Sequence, residues 1–313
     1  MNGPAAQAAM PAPLRGVMRE NEPMARHVSW RAGGSARRFF QPADLEDLQA
    51  FLASRPAGEA VLFVGLGSNL LVRDGGFDGT VVFTHHALGG LREAGEADGR
   101  LRFRAGSGVP APHLARFVGR HGGGGAEWLA GIPGTVGGAL AMNAGCYGGE
   151  TWPHVVEVQT IDRAGALHRR TPADYEIGYR HVAPREKVVE WFVAGTFAFP
   201  PGDPEVAKAR MKGLLEQRVA SQPLGLPNAG SVFRNPPGGH AARLIDQLGL
   251  KGLREGGAEV SAKHANFIVN TGGASAADIE RLIRRVHAVV LEATGVDLVP
   301  EVRIVGAREA SRG

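Results

Sequence analysis

The chain has 313 residues, of which 43% are hydrophobic and 21% charged, and it contains 46 glycines, 20 prolines and one cysteine. This apolar content excludes an intrinsically disordered protein, and the irregular spacing of the glycines excludes a collagen-like one. The formal net charge is +4 and the basic residues are dispersed. This pattern disfavours a nucleic-acid-binding protein, which carries a basic stripe. The small positive charge is consistent with binding of a small anionic ligand and equally with a solvated surface that binds no partner.

The single cysteine, Cys146, excludes an intramolecular disulfide and a cysteine-based metal cluster. The sequence shows no secretory segment and no apolar run of about 18 residues that would span a membrane. We therefore expect a cytoplasmic protein that holds no metal and enters no membrane. Residues 1–14, rich in Ala, Pro and Met, are expected to form a disordered tail.

Hydrophobic periodicity predicts helices and strands that alternate along the chain. The predicted helices cover residues 44–53, 111–120, 205–220, 241–248 and 276–293. The last of them has Ser275 as its N-cap, Asp278 at N3 and Gly295 just beyond its end. The predicted strands cover residues 61–64, 81–83, 101–104, 155–161, 167–169, 188–199, 266–270 and 301–305. This order of elements predicts an α+β protein built from two lobes and a smaller third unit.

Two glycine-rich segments lie where the chain connects these elements. The first follows a predicted strand and has free N–H groups and a hydroxyl, a combination that holds phosphate, although a tight turn would have the same sequence. It consists of Gly65, Leu66, Gly67, Ser68, Asn69 and Leu70. The second, residues 127–145, contains too many glycines for a helix or strand and is predicted to be a loop lying along a ligand. Together they predict binding of the two ends of one diphosphate cofactor.

These segments, with four further motifs in order, resemble a known family. The further motifs are residues 27–34, 178–180, 228–236 and 261–270, and the pattern ends at residues 300–303. Both glycine segments resemble the FAD-binding fold of the vanillyl-alcohol-oxidase (PCMH) type. The whole series resembles the UDP-N-acetylenolpyruvoylglucosamine reductase (MurB) family. The short stretch between Ser231 and Glu301 resembles the family's shorter class, type II.

The resemblance implies reduction of the enolpyruvyl ether of UDP-N-acetylglucosamine to UDP-N-acetylmuramate, a step in peptidoglycan precursor synthesis. NADPH would supply a hydride through non-covalently bound FAD. Arg180 would bind the substrate carboxylate and stabilise the enolate, Glu301 would act with it, and Ser231 would be the general acid. No obligate protein partner is implied.

The resemblance also assigns binding residues. FAD would contact the two glycine segments through Gly65, Gly67, Ser68, Asn69, Leu70, Gly131, Ile132, Pro133, Gly134, Thr135, Gly137, Gly138, Ala139 and Asn143. The substrate would contact Tyr179, Arg218, Asn235, Lys263 and Asn266. Val182 stands where the family usually has a hydroxyl residue, and Cys146 is interpreted as a packing residue.

We expect one FAD-binding lobe at residues 15–86 and a second at residues 87–215, to which residues 298–313 return. Residues 216–297 would form the substrate-binding domain. Two alternatives use the same fold: an oxidase with covalently attached FAD, which usually needs a longer substrate domain, and a non-catalytic nucleotide-sugar binder, which would lack Arg180, Ser231 or Glu301. Oligomeric state, a preference for NADPH over NADH, and the uridine contacts are not fixed by the sequence.

Overall fold

The computed structural model describes residues 13–309, so nearly all of the predicted N-terminal tail and the last four residues lie outside the described part. Five of its helices match the predictions to within one residue at both ends. The helices are α1 Leu45–Ala53, α2 Ala111–Arg120, α3 Val136–Met142, α4 Pro204–Ser221, α5 Ala241–Gln247 and α6 Ala276–Thr294. The third helix, α3, lies in a segment that was predicted to be a loop, and that prediction is wrong.

The N-terminal unit is a small sheet with one helix. Its strands are β1 Val17–Pro23, β2 Ser35–Gln41, β3 Val61–Val64, β4 Leu70–Val72 and β5 Phe77–Phe83. The sheet has the order β1-β2-β5-β3, and β5 is parallel to both of its neighbours. Asp44 is the N-cap of helix α1, and its carboxylate accepts a hydrogen bond from the Asp47 N–H. It packs on the sheet through Phe51, which stacks on Phe40 at 4.1 Å between ring centroids.

The middle unit is built on a five-stranded antiparallel sheet with the order β11-β10-β14-β7-β6. Its strands are β6 Leu91–Ala97, β7 Arg100–Gly106, β8 Gly145–Cys146, β9 Gly149–Glu150, β10 Val155–Asp162, β11 Leu167–Arg170, β12 Tyr175–Gly178, β13 His181–Pro184 and β14 Glu190–Phe199. Helices α2 and α3 cover one face, where Leu114, Leu140 and Phe197 are buried in one core. Strands β12 and β13 form a separate hairpin.

The C-terminal unit packs α5 and α6 on a three-stranded sheet of β15 Arg254–Glu255, β16 Ala258–Val260 and β17 Ile268–Asn270. The predicted capping box at the start of α6 is present, since Ser275 and Asp278 each accept a hydrogen bond from the other's backbone N–H. Gly295 ends the helix with φ +70°, a left-handed conformation that glycine adopts without strain.

The final strand, β18 Arg303–Val305, pairs in parallel with β4. Residues 298–313 were expected to return to the second lobe, but β4 belongs to the range 15–86. The return of the chain therefore joins the C-terminal unit to the N-terminal unit through a separate two-stranded sheet. Two long-range hydrogen bonds strengthen this junction, since Trp30 Nε1 donates to the Ile268 carbonyl at 2.8 Å and Asn270 Nδ2 donates to the Trp30 carbonyl at 3.0 Å.

Within residues 13–309, no helix is both long and apolar enough to cross a membrane. Over the same range, no three side chains of His, Cys, Asp or Glu are grouped so that they could hold a metal ion.

Candidate active site

A cavity of about 760 Å³ opens where the three units meet. This volume lies within the range of about 300–1,000 Å³ that is typical of ligand sites. Of the residues predicted to bind a cofactor, all except Asn143 line it. The three predicted catalytic residues, Arg180, Ser231 and Glu301, line it as well. One cavity therefore brings together side chains from all three units.

The first glycine segment is held tightly between other parts of the backbone. Gly67 has φ +58°, and a Cβ there would lie 2.1 Å from the carbonyl oxygen of His27. A Cβ at Gly65 would lie 2.2 Å from Oγ1 of Thr135, so the two glycine segments are in direct contact. Any larger side chain would push them apart. Both segments consequently form one continuous wall of the cavity.

The second segment is partly helical, because α3 includes both Gly137 and Gly138. Gly137 lets the helix pack on the end of β7, where a Cβ would lie 2.8 Å from Cβ of Ser107. At Gly138 an added Cβ would meet no protein atom within 4 Å, although this residue lines the cavity. The glycine content predicted a loop. The structure instead has a short helix, in which Gly137 allows close packing and Gly138 borders open space in the cavity.

Asn143 ends α3 in the left-handed conformation, with φ +47°, and is buried away from the cavity. Its Nδ2 donates to the carbonyl of Gly178 and to the carboxylate of Glu150, both at 3.0 Å, and its Oδ1 accepts from the Trp152 N–H. The geometry makes Asn143 a support for the β12–β13 hairpin. It does not line the cavity.

Arg180 occupies the turn of that hairpin and has φ +54°, which is uncommon for a residue with a side chain. Its Nε donates to Oε1 of Glu301 at 3.1 Å, across a separation of 121 residues. Its Nη1 and Nη2 donate to the carbonyls of Asn143 and Gly145 at 3.3 and 2.9 Å. Both partners of the ion pair are largely buried, with side chains 15% and 13% exposed. The guanidinium is fixed in place before any ligand binds.

Glu301 is placed by backbone contacts on either side. Its N–H donates to the Val232 carbonyl at 2.7 Å, and its carbonyl accepts from Asn69 Nδ2 at 3.1 Å. Burial raises the pKa of the Glu301 carboxyl, while the charges of Arg180 and Arg234 act in the opposite direction. The carboxyl therefore retains a proton at higher pH than an exposed glutamate does.

Ser231 lies on a loop that Asn266 holds in position. Asn266 is 4% exposed; its Oδ1 accepts from the Phe233 N–H at 3.0 Å and its Nδ2 donates to the Phe233 carbonyl at 2.8 Å. Gly230, with φ +74°, precedes Ser231 and lets the chain turn into the cavity. Asn266 was predicted to bind substrate, and its two amide bonds to one backbone residue also give it the role of fixing Ser231.

The remaining predicted substrate residues differ in position. Tyr179, Arg218 and Asn235 line the cavity, and the Asn235 N–H donates to the Tyr179 hydroxyl at 3.4 Å. Lys263 does not line it, because its Nζ donates to the carbonyl of Val219 near the end of α4, at 2.5 Å. Lys263 therefore links the C-terminal unit to α4 by a hydrogen bond.

Two residues outside the predicted set line the cavity and have unsatisfied polar atoms. Ser107 is 1% exposed and its hydroxyl makes no hydrogen bond, and Nε of Arg234 is also buried without a partner. Arg234 belongs to one of the motifs that carry the family resemblance, but only the cavity shows where it points. Nothing in the pattern around Ser107 indicates a site.

Cys146 also lines the cavity and packs against the core of the middle unit, which agrees with its interpretation as a packing residue. Burial raises the pKa of its thiol, against the lowering effect of Arg218 and Arg180. A raised pKa keeps the thiol protonated and makes it a poor nucleophile.

Comparison with known proteins identifies the family. Residues 222–305 match the family described as the UDP-N-acetylenolpyruvoylglucosamine reductase C-terminal domain, and residues 36–171 match an FAD binding domain. A UDP-N-acetylenolpyruvoylglucosamine reductase from Thiobacillus denitrificans is 56% identical over 305 residues, covering 95% of this chain and 94% of the relative. One from Nitrosomonas eutropha is 55% identical over 304 residues, covering 95% and 91%.

The chain belongs to the UDP-N-acetylenolpyruvoylglucosamine reductase family. The crystal structure of the reductase from Thermus caldophilus superimposes with a TM-score of 0.75 at 31% identity, covering 94% of this chain and all of that one. The predicted α+β FAD-binding fold of the PCMH type is confirmed. The protein is an FAD-dependent oxidoreductase that uses NADPH as its hydride donor. Like the other members of the family, it acts in peptidoglycan precursor synthesis.

The cavity of this reductase fits an extended dinucleotide such as FAD. Its wall of bare backbone at the two glycine segments, the open space beside Gly138 and the unsatisfied hydroxyl of Ser107 all suit a polar ligand pressed against the chain. The Trp191 and Phe63 rings also line the cavity and stack on each other at 4.8 Å between centroids, which adds an aromatic surface.

Proposed function

We propose that this chain reduces the enolpyruvyl group of UDP-N-acetylglucosamine enolpyruvate at the end of the cavity formed by Arg180, Glu301 and Ser231. The observation that carries this proposal is the buried Arg180–Glu301 pair, which faces the same cavity as Ser231 although the three residues come from distant parts of the chain. Bound FAD would supply the hydride transfer from NADPH to the substrate. The two glycine segments would hold it, with Ser107 as an additional donor.

Arg180 suits the substrate carboxylate because part of its donor set remains free. A guanidinium has five N–H groups, and three of the bonds described above are made to Glu301, Asn143 and Gly145. The remaining donors can bind the carboxylate, into which negative charge flows when the neighbouring double bond is reduced. A guanidinium fixed in advance stabilises that charge without reorganising during the reaction.

Glu301 holds the Arg180 fork in the required orientation. Burial raises the pKa of the Glu301 carboxyl, so it keeps a proton to higher pH than an exposed glutamate does, and in that form it could donate to the substrate carboxylate or to a bound water. The protonated fraction rises as pH falls and is lost as pH rises through the raised pKa.

Ser231 would supply the proton that completes the reaction. Its loop enters the cavity beside Glu301, and Asn266 holds the loop rigidly. A hydroxyl is a weak acid, but the carbon centre that forms next to the carboxylate is strongly basic. Positioned donors of this kind contribute about 10²- to 10⁴-fold to rate.

We also propose which unit binds the cofactor and which binds the substrate. Residues 15–86 and 87–215 would bind FAD, and residues 216–297 would cover the substrate, with Tyr179, Arg218 and Asn235 at the boundary. A UDP-linked sugar and NADPH are intracellular metabolites, which supports a cytoplasmic location. The product would feed cell-wall synthesis and so affect cell shape and division.

The attachment of FAD can be tested on the purified protein. We expect a yellow protein whose flavin passes into the supernatant after acid precipitation, because the cavity would hold it by non-covalent contacts alone. Under anaerobic conditions NADPH should bleach the flavin, and the enolpyruvyl substrate should restore its colour. Flavin that stays with the pellet would indicate a covalently attached cofactor and contradict the proposal.

The Arg180–Glu301 pair can be tested by a double-mutant cycle with Arg180→Lys and Glu301→Gln. Both groups act on the same developing charge, so their effects on flavin reoxidation by substrate should be strongly non-additive. Arg180→Lys alone should be severe, because an ammonium cannot make the bonds of the fork. Stopped-flow absorbance measures each variant, and strictly additive losses would mean that the two residues act separately.

A further inference from the structure

Arg234 forms a second positive group beside Glu301, and the proposed mechanism does not use it. The segment that carries Arg234 pairs with the chain before Glu301: Phe233 and Pro300 form an antiparallel bridge, and the Arg234 N–H donates to the Val299 carbonyl at 2.9 Å. In such a pairing, residues 234 and 301 are diagonal neighbours on the same face. Long side chains reach each other at that spacing.

The Arg234 side chain faces the cavity with an unused donor. Its Nε is buried and makes no hydrogen bond, while the residue as a whole is half-buried and lines the cavity. A buried N–H without a partner is destabilising, because it has lost its bonds to water and gained none in return. Such a donor is satisfied when an anionic group of a ligand arrives.

The charges around Glu301 indicate which anionic group of the ligand Arg234 would bind. Arg180 and Glu301 already neutralise each other, so a substrate carboxylate added to this pair alone would leave one uncompensated negative charge in a buried site. Arg234 restores the balance, because two guanidinium groups then face two carboxylates. The charges acting on Glu301 come from Arg180 on the hairpin turn and Arg234 on the Ser231 loop; Arg218 and Arg303 also line the cavity, but they do not act on the Glu301 carboxyl.

We propose that Arg234 is a second carboxylate-binding residue, which holds the enolpyruvyl carboxylate together with Arg180. This inference rests on the proposed function of Arg180, since both residues would bind the same group. A diphosphate has the same anionic oxygens, so the experiment must distinguish the two. UDP-N-acetylglucosamine serves this purpose, because it carries the diphosphate and lacks the carboxylate.

The test compares Arg234→Gln with wild type in the FAD-containing enzyme. Calorimetric titration should show that Arg234→Gln weakens binding of the enolpyruvyl substrate about 10- to 100-fold, as expected for a lost bond to a charged group. Binding of UDP-N-acetylglucosamine and flavin reduction by NADPH should change by less than about 3-fold, since neither involves the carboxylate. Arg243→Gln, the same change at an exposed position on α5, is the matched control and should resemble wild type.

The pH dependence gives a second readout that a structural defect would not produce. Without Arg234, Glu301 must be neutral for the carboxylate to bind, so substrate affinity of Arg234→Gln should recover as pH falls. Equal weakening of both ligands would assign Arg234 to the diphosphate, and unchanged substrate binding would exclude any contact; either result overturns the proposal. If wild type itself fails to bind or reduce the enolpyruvyl substrate, the proposed function fails first.

Discussion

Arg180 shows how much of this site depends on the conformation of single residues. It has a left-handed backbone conformation that costs a residue with a side chain about 1–2 kcal/mol. Three hydrogen bonds offset this cost and lock the guanidinium between Glu301, Asn143 and Gly145. Strain of this kind, held by surrounding contacts, is typical of functional positions. The strained conformation lowers stability, but it would hold Arg180 ready to bind a carboxylate.

Ser231 can be separated from the other residues by its place in the reaction. We expect Ser231→Ala to leave flavin reduction by NADPH within a few-fold of wild type, because that step needs no proton at the substrate carbon. Reoxidation by the enolpyruvyl substrate should slow by at least about 10²-fold. This corresponds to roughly 2.7 kcal/mol of transition-state stabilisation, at about 1.36 kcal/mol per factor of ten.

Stopped-flow absorbance resolves the two half-reactions. Ser221→Ala removes a hydroxyl from the exposed end of α4 and is the control, expected to behave as wild type in both. If Ser231→Ala slows both half-reactions equally, the serine has a structural role. If reoxidation keeps its rate, another group or a water supplies the proton.

Helix α3 forms part of the cavity wall at the second glycine segment. It is only two turns long, and the space on its cavity side exists because Gly138 has no side chain. In an ordinary helix, replacing this glycine by alanine would stabilise the helix by about 0.5–1 kcal/mol. Its glycine therefore points to a requirement outside the helix itself.

Gly138→Ala tests whether FAD lies against α3. The added methyl meets no protein atom within 4 Å, so the fold should be unaffected, but it would occupy the cavity. We expect FAD binding to weaken by about 1–3 kcal/mol, the usual cost of overpacking. Flavin content after purification and FAD dissociation on dilution, both followed by flavin fluorescence, measure the effect.

Gly213→Ala is the matched control for this variant. Gly213 lies within α4, outside the cavity, and an added Cβ there also meets nothing within 4 Å. Both variants should keep the wild-type far-ultraviolet circular dichroism spectrum, and only Gly138→Ala should release FAD more readily. Wild-type FAD affinity in Gly138→Ala would place the cofactor elsewhere in the cavity.

At the scale of the whole molecule, the C-terminal unit is attached mainly to the N-terminal one. Besides the β4–β18 pairing, Asp74 accepts hydrogen bonds from the first two N–H groups of α6 at 2.9 and 2.7 Å. Arg73 makes a two-pronged bond to Glu280 on α6, at 2.9 and 3.1 Å, and Glu280 is 6% exposed. These contacts fix Ser231 and Glu301 relative to the first glycine segment.

Glu280→Gln should destabilise the protein by about 1.5–3 kcal/mol at pH 7, the range for a hydrogen bond to a charged group. The bond from Arg73 lowers the pKa of Glu280. Its contribution is therefore present above the unfolded carboxyl pKa of about 4.3 and is lost as pH falls through the lower folded value. The difference from wild type should shrink as pH drops below about 4.

Urea unfolding midpoints, measured over this pH range, check the result. Glu205→Gln removes the same charge from a pair whose side chains are 81% and 76% exposed, and it should change stability very little. A Glu280→Gln defect that persists undiminished in acid would arise from packing. In that case the ion pair would not be what joins the units.

Much of this protein follows from local sequence. Periodicity and capping residues located five helices, because burial of one face and satisfied helix ends are decided within a few residues. The order of motifs also indicated the family and the residues Arg180, Ser231 and Glu301. Local rules failed at α3, where glycine content suggested a loop and the contact between Gly137 and Ser107 instead permits a packed helix.

Only the tertiary structure decided which residues meet. The pairing of β18 with β4 and the Arg180–Glu301 bond join segments far apart in the chain, and no local pattern encodes such contacts. The same is true of Asn143 and Lys263, whose polar side chains turned out to bond to the protein backbone away from the cavity. The unsatisfied Nε of Arg234 likewise exists only because folding buries it beside Glu301. Residue type gives a side chain its chemistry, while its partners and its solvent exposure depend on the whole chain.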